Sequence, residues 1–514
     1  MNINVNQLSE TISKKLNNER SKILEVGTVL TVADGVATVC GLEDVMFSEV
    51  VKFSSGALGQ VQSIYYDSCS ILILEDEIAV TEGDVVSRTH EILKVPVGKH
   101  LLGRVVDALG KPLDGDILDV DEKREIEVKA PGVMQRQSVH EPLQTGIKII
   151  DALIPIGRGQ RQLIIGDRQT GKTTVALDTI LNQASINKSV PENERVYCIY
   201  VAIGQKESTI ARLKQTLLEH DALQYTIIVS ACAGDVAVKQ FLAAYTGCTM
   251  GEYFRDNGMH GLIVYDDLSK HAIAYREISL LLRRPPGREA FPGDIFYIHS
   301  RLLERAAKMS RDRGSGSLTA LPIVETQEKD ISAYIPTNVI SITDGQIFLD
   351  SSLFYQNIKP AISIGTSVSR VGSAAQRKAM KQVVGSLKLE LAEFRELEAF
   401  MQFSSDLDQD TKNAIRKGQL LTTLLTQGAS QPVDFVEQVM MFFATQNGFL
   451  DHVEVDEVKA IAKKMTIFLE AKHSDLLDRI NTLGKIEEAD SNQLKEILSG
   501  FFNIKQSNEE QKGL

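Results

Sequence analysis

The stretch Gln162-Leu-Ile-Ile-Gly166-Asp-Arg-Gln-Thr-Gly171-Lys172-Thr173 decides the fold of this chain. Its last eight residues match GxxxxGK[ST], the pattern of a phosphate-binding P-loop. An apolar run that ends at Ile165 precedes the loop, and Thr174-Val-Ala-Leu-Asp-Thr-Ile180 is predicted to continue as a helix. Glycines let backbone N–H groups approach phosphate oxygens, and the N-terminus of the helix adds positive potential. The alternative is a glycine turn before an ordinary helix, but the complete pattern in this setting predicts a nucleotide site.

Two further elements are predicted to complete the phosphate and metal site. Lys172 is expected to reach the β- and γ-phosphates, and the Thr173 hydroxyl is expected to ligate Mg²⁺. Gly261-Leu-Ile-Val-Tyr-Asp266-Asp267 places paired carboxylates at the end of an apolar strand. Asp266 is predicted to act on the Mg²⁺ through a water molecule, whereas Asp267 is predicted to be structural.

The position expected to carry a catalytic acid holds an amide. In RecA-like folds the carboxylate that activates the attacking water follows the strand after the P-loop helix. Here the predicted strand from Val196 to Ile203 leads into Gly204-Gln205-Lys206-Glu207. The Gln205 amide can hold a water molecule but cannot accept its proton at neutral pH. Glu207 is a rival base, although a solvated residue at a helix start is the simpler interpretation. The site is therefore predicted to bind nucleotide rather than turn it over.

Three successive sequence patterns along the chain predict a multidomain protein. Residues 27–92 contain short β-rich runs, including a predicted hairpin around Asp34-Gly35, which fit a small barrel or sandwich. Residues 93–375 alternate apolar strands with helical stretches, and residues 376–514 are helical. The predicted fold is a small N-terminal β-barrel, a central RecA-like α/β P-loop domain with a parallel sheet, and a C-terminal α-helical bundle.

Hydrophobic patterns locate the elements within these domains. The near-continuous apolar runs of the central domain are typical of parallel strands covered on both faces. The predicted strands are Gln162 to Ile165, Val196 to Ile203, Thr226 to Ala231, Leu262 to Tyr265 and Leu318 to Val324. One apolar helix face is predicted from Val384, Leu387, Leu391, Phe394, Leu397 and Met401. Residues 1–26 form a short amphipathic segment that is predicted to dock on its own domain or on a partner subunit.

Composition excludes several classes of protein. Lys+Arg 56 against Asp+Glu 68 gives a net charge of -12, which disfavours a broad nucleic-acid interface. The 5 cysteines are scattered without metal-ligand spacing, so reduced, buried thiols are expected. No apolar run is long enough to span a membrane, and the N-terminus lacks the pattern of a secretion signal.

Longer strings of sequence carry a family resemblance. The chain closely resembles the alpha subunits of the F-type rotary ATP synthases over nearly its whole length and in matching order. The strings that carry the resemblance are Ile156-Gly-Arg-Gly-Gln-Arg161, Gly166-Asp-Arg-Gln-Thr-Gly-Lys-Thr173, Tyr265-Asp-Asp-Leu-Ser-Lys270, Leu280-Leu-Leu-Arg-Arg-Pro-Pro-Gly-Arg-Glu289 and Ser367-Val-Ser-Arg-Val-Gly-Ser-Ala-Ala-Gln376. The sister beta subunits lack the Arg168-Gln169 pair and carry a glutamate in place of Gln205.

The resemblance implies both an assembly and a set of ligands. Three alpha and three beta chains would alternate around a rotating gamma shaft, with a delta-type stalk subunit at the N-terminus and an indirect link to a membrane proton channel. The complex would make ATP from ADP and phosphate on the inner, cytoplasmic face of the cell membrane or of an equivalent organelle membrane. The residues expected around Mg-ATP or ADP at a non-catalytic site are Arg168, Gln169, Thr170, Gly171, Lys172, Thr173, Thr174, Gln205, Asp266 and Gln427.

Arg370 is the one residue that the resemblance marks as catalytic, and it would act on another chain. It lies in the Ser-x-Ser-Arg segment that in this family reaches the phosphates bound by the adjacent beta subunit. A guanidinium offers rigid bidentate donors for charge that spreads over the oxygens of a transferring phosphoryl group. From composition alone, an arginine in a Ser/Gly loop is usually an ordinary surface residue.

Some positions depart from the family pattern or have open roles. Lys359 stands where relatives commonly have arginine, Ala429 where many have a glutamine near the base, and Ser363 where Asn or Asp is frequent. These departures concern the adenine pocket and its affinity. Arg284 and Arg288 lie in a loop that resembles the central bearing region, where structural ion pairing competes with nucleotide contact.

Two other functions remain open from the sequence. A self-sufficient NTPase of the hexameric helicase or beta type would hydrolyse ATP alone, against which Gln205 and the acidic charge both argue. A pure scaffold without nucleotide binding is disfavoured by the intact Lys172, Thr173 and Asp266. The turn Asp406-Leu-Asp408 resembles the region that faces the shaft, although two acids in a helical turn are usually only solvated.

Overall fold

The computed structural model of this chain describes residues 26–33, 35–75, 80–115, 122–401 and 409–510, with side chains omitted at 399–401 and 503–510. Three predictions therefore lie outside the described residues. These are the amphipathic segment before Val26, the Asp34 position of the hairpin turn and the Asp406–Asp408 turn.

The first domain is a closed barrel of six antiparallel strands in the order β1-β2-β5-β4-β3-β6. The strands are β1 Val26–Ala33, β2 Val36–Cys40, β3 Glu49–Phe53, β4 Leu58–Ile64, β5 Ser68–Ile73 and β6 Val85–Ile92. Alternation along β2 buries Ala37 and Val39, which pack with Val51, Phe53 and Ile71 in the barrel core. Closure pairs both edges of each described strand, so the described part of the barrel presents no open edge to other chains.

The central domain contains an eight-stranded sheet in the order β18-β17-β12-β16-β15-β13-β14-β8. All neighbours in this sheet are parallel except β17 and β18. Its strands are β8 Val105–Val106, β12 Leu163–Asp167, β13 Val196–Gln205, β14 Thr226–Cys232, β15 His260–Asp266, β16 Ser317–Thr326, β17 Gly345–Leu349 and β18 Val368–Ser369. Two small antiparallel pairs flank it, β7 Lys94–Val97 with β9 Glu122–Glu125 and β10 Pro142–Leu143 with β11 Ile156–Gly157.

Helices cover both faces of this sheet, as the apolar strand pattern predicts. Successive residues of β13 point to opposite faces, so Tyr200 joins one hydrophobic cluster while Ile199 and Val201 join the other. The helices of this domain are α1 Lys148–Leu153, α2 Lys172–Asn187, α3 Glu207–Glu219, α4 Ala237–Asp256, α5 Leu268–Leu281, α6 Ile295–Leu303, α7 Tyr334–Ile342 and α8 Ser351–Tyr355. The strand ends that follow Asp167, Gln205 and Asp266 therefore meet along one edge of the sheet.

The C-terminal domain is helical, which completes the predicted fold class. Its helices are α9 Lys378–Val384, α10 Leu387–Met401, α11 Gln409–Leu425, α12 Phe435–Gln446, α13 Val458–Leu483 and α14 Glu488–Glu510. The apolar face predicted to run from Val384 to Met401 is divided between α9 and α10 around Gly385, a residue with low helix propensity. Within the described part of the chain, no helix combines the length and apolar character that a bilayer crossing requires.

A buried ion pair ties α4 to the chain that follows α6. The guanidinium of Arg305 is fully buried and donates hydrogen bonds to the two carboxylate oxygens of Glu252 at 3.0 and 2.5 Å. It also donates to the Ile126 carbonyl oxygen at 2.7 Å and to the Thr249 hydroxyl at 2.9 Å. Charged and neutral acceptors together satisfy a cation that would be costly to bury alone.

Removing the negative charge of this pair is expected to destabilise the central domain strongly. Glu252→Gln leaves Arg305 and its neighbour Arg255 buried without their shared carboxylate, at a cost of about 3–5 kcal/mol. The midpoint of thermal unfolding, measured by calorimetry, should fall accordingly. Asp221→Asn is the matched control, because the pair that Asp221 forms with Lys188 is exposed to solvent. Equal shifts for the two variants would contradict the interpretation.

Candidate functional site

The P-loop connects β12 to α2 and depends on glycine at two positions. A Cβ atom added to Gly166 would lie 2.5 Å from the Leu349 carbonyl oxygen, so only glycine fits between the two strands. Gly171 adopts a φ of 96°, in the left-handed region that glycine enters without strain, and stands directly before the first residue of α2. This conformation turns the chain so that the N-terminus of α2 faces the edge of the sheet where the strands end.

Lys172 lies folded against its own loop. Its side chain is buried, and its ammonium group donates hydrogen bonds to the carbonyl oxygens of Gly166 at 2.9 Å and Asp167 at 2.5 Å. Burial lowers the pKa of Lys172, while nearby carboxylates, Glu325 foremost, act in the opposite direction. A buried ammonium held by two carbonyl dipoles is a ready donor for phosphate oxygens.

The Asp266 carboxylate binds three donors that lie on two elements, α2 and β13. Its carboxylate accepts hydrogen bonds from the Thr173 hydroxyl at 2.8 Å, the Tyr200 hydroxyl at 2.5 Å and the Gln205 amide at 3.1 Å. Burial and this carboxylate together hold the pKa of Tyr200 well above its usual value, so its hydroxyl remains a donor. The helix α2 and the strands β13 and β15 are thereby joined at the Asp266 carboxylate.

Asp267 has a structural role that differs from that of Asp266. Its carboxylate accepts a hydrogen bond from the backbone N–H of Lys270 at 2.7 Å and caps the N-terminus of α5. Burial raises the pKa of Asp267 to about 6, against the opposing effect of the Lys270 ammonium. Glu207, the rival base considered from the sequence, is exposed at the start of α3.

Two adjoining cavities open on the P-loop. The larger, about 630 Å³, is lined by polar side chains that include Arg168, Gln169, Lys172, Gln205 and Glu325. The smaller, about 230 Å³, extends from Thr170 toward Gln427 and has mostly apolar walls. Gly171, Thr174 and Phe354 line both cavities, so the two form one continuous site. We call them the phosphate cavity and the base cavity, because their polar and apolar walls suit those two parts of a nucleotide.

Gln427 lies at the base cavity, but its amide is occupied by the protein backbone. The amide nitrogen donates to the carbonyl oxygens of Gly146 at 2.8 Å and Gln431 at 2.7 Å, and the amide oxygen accepts from the Lys148 N–H at 3.1 Å. The Lys148 ammonium in turn donates to the carbonyl oxygens of Leu424 and, at 3.2 Å, Thr426. The base cavity is thus walled by both the central and the helical domain.

Two of the three departures from the family pattern, Lys359 and Ala429, line this cavity, whereas Ser363 does not. Ala429 lines it with a methyl group, and the Lys359 ammonium stands 4.9 Å from the centre of the Phe354 ring. The Lys359 carbonyl oxygen accepts the backbone hydrogen bond of Gln427 at 2.7 Å. Lys359 therefore contributes to the wall through its backbone and through a cation–π contact.

Arg370 lies at the other end of the sheet from the P-loop. It follows β18, whose Ser369 is opposite Gly345 at the start of β17, whereas Gly166 of the P-loop is opposite Leu349 at the end of β17. The four residue steps between those positions span roughly 13 Å. The side chain is exposed, and none of the described residues accepts a hydrogen bond from its guanidinium. The structure therefore brings together the other predicted site residues and leaves Arg370 apart from them.

Arg284 and Arg288 make contacts within the protein. The Arg284 guanidinium donates to the Tyr275 hydroxyl at 3.1 Å and to the Gln62 carbonyl oxygen at 3.3 Å, which links α5 to the barrel. Arg288 stands 5.5 Å from the centre of the Tyr334 ring. Neither residue lines the phosphate cavity or the base cavity.

Several residues of the site were missed from the sequence. Tyr200, Glu325, Phe354 and Asp178 all line the cavities or bind their lining groups. The sequence does contain an indication of the Tyr200 contact, because a tyrosine in an apolar strand needs a hydrogen-bond partner for its hydroxyl. The sequence does not distinguish it from Tyr197 on the same strand, because only the direction of each side chain separates them.

Comparisons with known proteins identify the family. Three models of the ATP synthase alpha/beta family match the chain: the β-barrel domain at residues 23–90, the nucleotide-binding domain at 146–369 and the C-terminal domain at 376–501. The chain belongs to this family. The ATP synthase subunit alpha of Neorickettsia sennetsu is 59% identical over 483 residues, which cover 93% of this chain and 95% of that protein.

Family membership confirms the resemblance drawn from the sequence. The chain is similar throughout to an alpha subunit, its three domains follow the family's order, and the central one is the family's nucleotide-binding domain. The prediction that it works as a subunit of the ATP synthase is confirmed as well. The domain boundaries at 26/27, 92/93 and 375/376 and the roles of individual site residues stay predictions.

Removing the Tyr200 hydroxyl is expected to destabilise this site. Tyr200→Phe deprives the Asp266 carboxylate of a buried donor, and a hydrogen bond to a charged group contributes about 1.5–3 kcal/mol. The variant should unfold at a lower temperature than the unmodified chain. Tyr197→Phe is the matched control, since none of the described residues binds the Tyr197 hydroxyl, and it should unfold near the original temperature. Equal destabilisation by both changes would show that the Asp266 contact is unimportant.

Proposed function

We propose that this chain is the nucleotide-holding, largely non-catalytic alpha subunit of the rotary ATP synthase head. It binds Mg-ATP in its own site and supplies Arg370 to the catalytic site of an adjacent beta subunit. The assembled complex makes ATP from ADP and phosphate as protons flow across a membrane.

The donor set around the P-loop fits a magnesium-bound nucleotide. Thr173 and Asp266 place a hydroxyl and a carboxylate oxygen 2.8 Å apart, and Mg²⁺ prefers oxygen ligands. Lys172 and the backbone N–H groups of the loop would bind the phosphates, with Arg168 and Gln169 beside them in the phosphate cavity. The bound Mg²⁺ would neutralise charge on the β- and γ-phosphates. The volume of the phosphate cavity suits a triphosphate.

Gln205 is the observation that carries the proposal of a non-catalytic site. Its amide lies in the phosphate cavity and donates to Asp266 at 3.1 Å, so it points toward the metal side of the site. An amide has no appreciable basicity near neutral pH and cannot take a proton from water. The neighbouring carboxylates of Asp266 and Asp267 are engaged in the Thr173 and Lys270 contacts. Bound nucleotide would therefore remain intact.

The position of Arg370 supports its action on another chain. It stands beyond the opposite end of the sheet from its own P-loop, is exposed and has no hydrogen-bond acceptor for its guanidinium among the described residues. A guanidinium that projects from a subunit edge can donate to phosphates held by a neighbour, where it stabilises charge on the transferring group. The proposed neighbour is a beta subunit in an alternating ring of three alpha and three beta chains.

The same family relationship supports the remaining proposed partners. We propose contact with a central gamma shaft and, at the N-terminus, with a delta-type stalk subunit. The proton channel would be reached only through the other subunits of the complex. The proposed location is peripheral, on the inner face of the energy-coupling membrane.

The isolated chain is expected to bind Mg-ATP without hydrolysing it. Binding would be measured by calorimetry and turnover by phosphate release. Lys172→Ala should weaken binding by at least about tenfold, ~1.4 kcal/mol, because the buried ammonium is lost from the phosphate site. Rapid phosphate release by the unmodified chain would contradict the non-catalytic assignment.

Glu325 is the one observation that favours the alternative of a self-sufficient NTPase. Its carboxylate lines the phosphate cavity, and none of the described residues donates a hydrogen bond to it. If the isolated chain hydrolysed ATP and Glu325→Gln abolished that activity, the alternative would be correct. We expect Glu325→Gln to leave the isolated chain as inactive as before.

Arg370→Ala is expected to abolish turnover in the assembled complex. A phosphate-binding arginine of this kind contributes on the order of 10³–10⁵ in rate. Steady-state hydrolysis by complex reconstituted with beta and gamma chains would be compared for unmodified, Arg370→Ala and Arg370→Lys alpha subunits. Arg370→Lys should recover only part of the activity, since a lysine keeps the charge but loses the planar fork.

Two controls make this result interpretable. Size-exclusion chromatography should show the same assembly for every variant. Arg311→Ala removes another exposed arginine of the same domain and should leave turnover near its original rate. Full activity of the Arg370→Ala complex would show that this arginine does not serve the catalytic site.

A further inference from the structure

Asp178 is a buried carboxylate that faces the base cavity. It lies on α2, in the second turn after Lys172, and its side chain is only 5% exposed. It lines the cavity together with Val175, Thr174 and the 427–429 segment. The walls around it are mostly apolar, so an ionisable group at this position requires an explanation.

Only half of this carboxylate is engaged by the protein. One oxygen accepts a hydrogen bond from the backbone N–H of Ser430 at 2.9 Å. None of the described residues donates a hydrogen bond to the other oxygen. Burial raises the pKa of Asp178 to about 6, so the carboxylate is mainly ionised at neutral pH and can only accept hydrogen bonds. An acceptor with free capacity therefore faces the base cavity.

The other polar side chains at the far end of the base cavity are already committed or lack a suitable group. Both amide protons of Gln427 are donated to backbone carbonyl oxygens. The Lys359 ammonium lies near the Phe354 ring, and Ala429 offers only a methyl group. Recognition of a base by Gln427 would require its present hydrogen bonds to break.

We propose that Asp178 selects the base of the bound nucleotide by accepting a hydrogen bond from the 6-amino group of adenine. The assignment rests on the nucleotide-holding function proposed above and adds a basis for its specificity. Adenine presents an amino donor at position 6, whereas hypoxanthine and guanine present a carbonyl oxygen there. An accept-only carboxylate attracts the first and repels the second.

The expected discrimination is substantial. A site that binds a substrate amino group leaves a buried polar atom unpaired when an analogue lacks that group. In addition, the carbonyl oxygen of hypoxanthine would face the carboxylate oxygen in a mostly apolar cavity, where water screens the repulsion poorly. We expect Mg-ATP to bind at least about tenfold more tightly than Mg-ITP.

Asp178→Asn tests the assignment because it exchanges an acceptor for a donor at almost constant size. The amide nitrogen of asparagine can donate to the carbonyl oxygen of hypoxanthine. Mg-ATP, Mg-ITP and Mg-GTP would be titrated into the full chain by calorimetry, for the unmodified, Asp178→Asn and Asp178→Ala proteins. Asp178→Asn should shift the ATP-to-ITP affinity ratio toward ITP by about tenfold or more, and Asp178→Ala should bring the ratio close to one.

A matched control separates base selection from a structural role. Asp434 also binds a backbone N–H with one carboxylate oxygen, that of Val436 at 2.8 Å, but does not line the base cavity. Asp434→Asn should leave the ATP-to-ITP ratio unchanged. If Asp178 served only to anchor the Ser430 segment, Asp178→Asn would lower both affinities by the same factor, which would overturn the assignment.

The remaining outcomes are equally decisive. Tighter binding of Mg-GTP than of Mg-ATP by the unmodified chain would overturn the assignment, since guanine lacks the 6-amino group. Failure of the unmodified chain to bind any of the three nucleotides would overturn the proposed nucleotide-holding function and the assignment with it. Normal Mg-ATP binding with an unchanged ratio in Asp178→Asn would overturn the assignment alone.

Discussion

The carboxylate of Asp266 is the point at which the nucleotide site is held together. It is nearly inaccessible to solvent, and its charge is compensated by hydrogen bonds from the Thr173, Tyr200 and Gln205 side chains. These donors lie on α2 and on the neighbouring strand β13. The Asp266 carboxylate therefore couples the position of this helix to that of the sheet. A buried anion with fewer donors would be costly, and the local geometry of the P-loop follows from meeting that requirement.

The parallel arrangement of the sheet separates the two proposed activities of the chain, which are nucleotide binding and the supply of Arg370 to a neighbour. The residues proposed to bind phosphate and metal lie at the carboxyl ends of β12, β13, β15 and β16, as is usual for open α/β sheets. The antiparallel edge strand β18 runs in the other direction and delivers Arg370 to the far end. One reversed strand is sufficient to place Arg370, the cation proposed to serve a neighbour, far from the P-loop of its own chain.

The sequence predicted the parts of the structure that depend on local pattern. The P-loop, the fully apolar strands and the helical C-terminal region all have periodicities or motifs that a single sequence displays. It did not predict features that depend on the direction of a side chain in three dimensions. The contact of Tyr200 with Asp266, the backbone bonds that occupy Gln427 and the buried carboxylate of Asp178 are of this kind. The predicted apolar helix face is divided near Gly385, because glycine disfavours a helix. The prediction gave more weight to the hydrophobic pattern than to this glycine.

The placement of Arg370 also restricts the symmetry of any assembly in which it is used. A subunit that binds phosphate at one end of its sheet and donates an arginine from the other makes unlike contacts with its two neighbours. Contacts of this head-to-tail type do not saturate in a two-fold pair; they continue from subunit to subunit until the rotation closes. A finite particle must then be a closed ring in which every Arg370 points the same way around the axis. The reversed edge strand of each chain sets that direction.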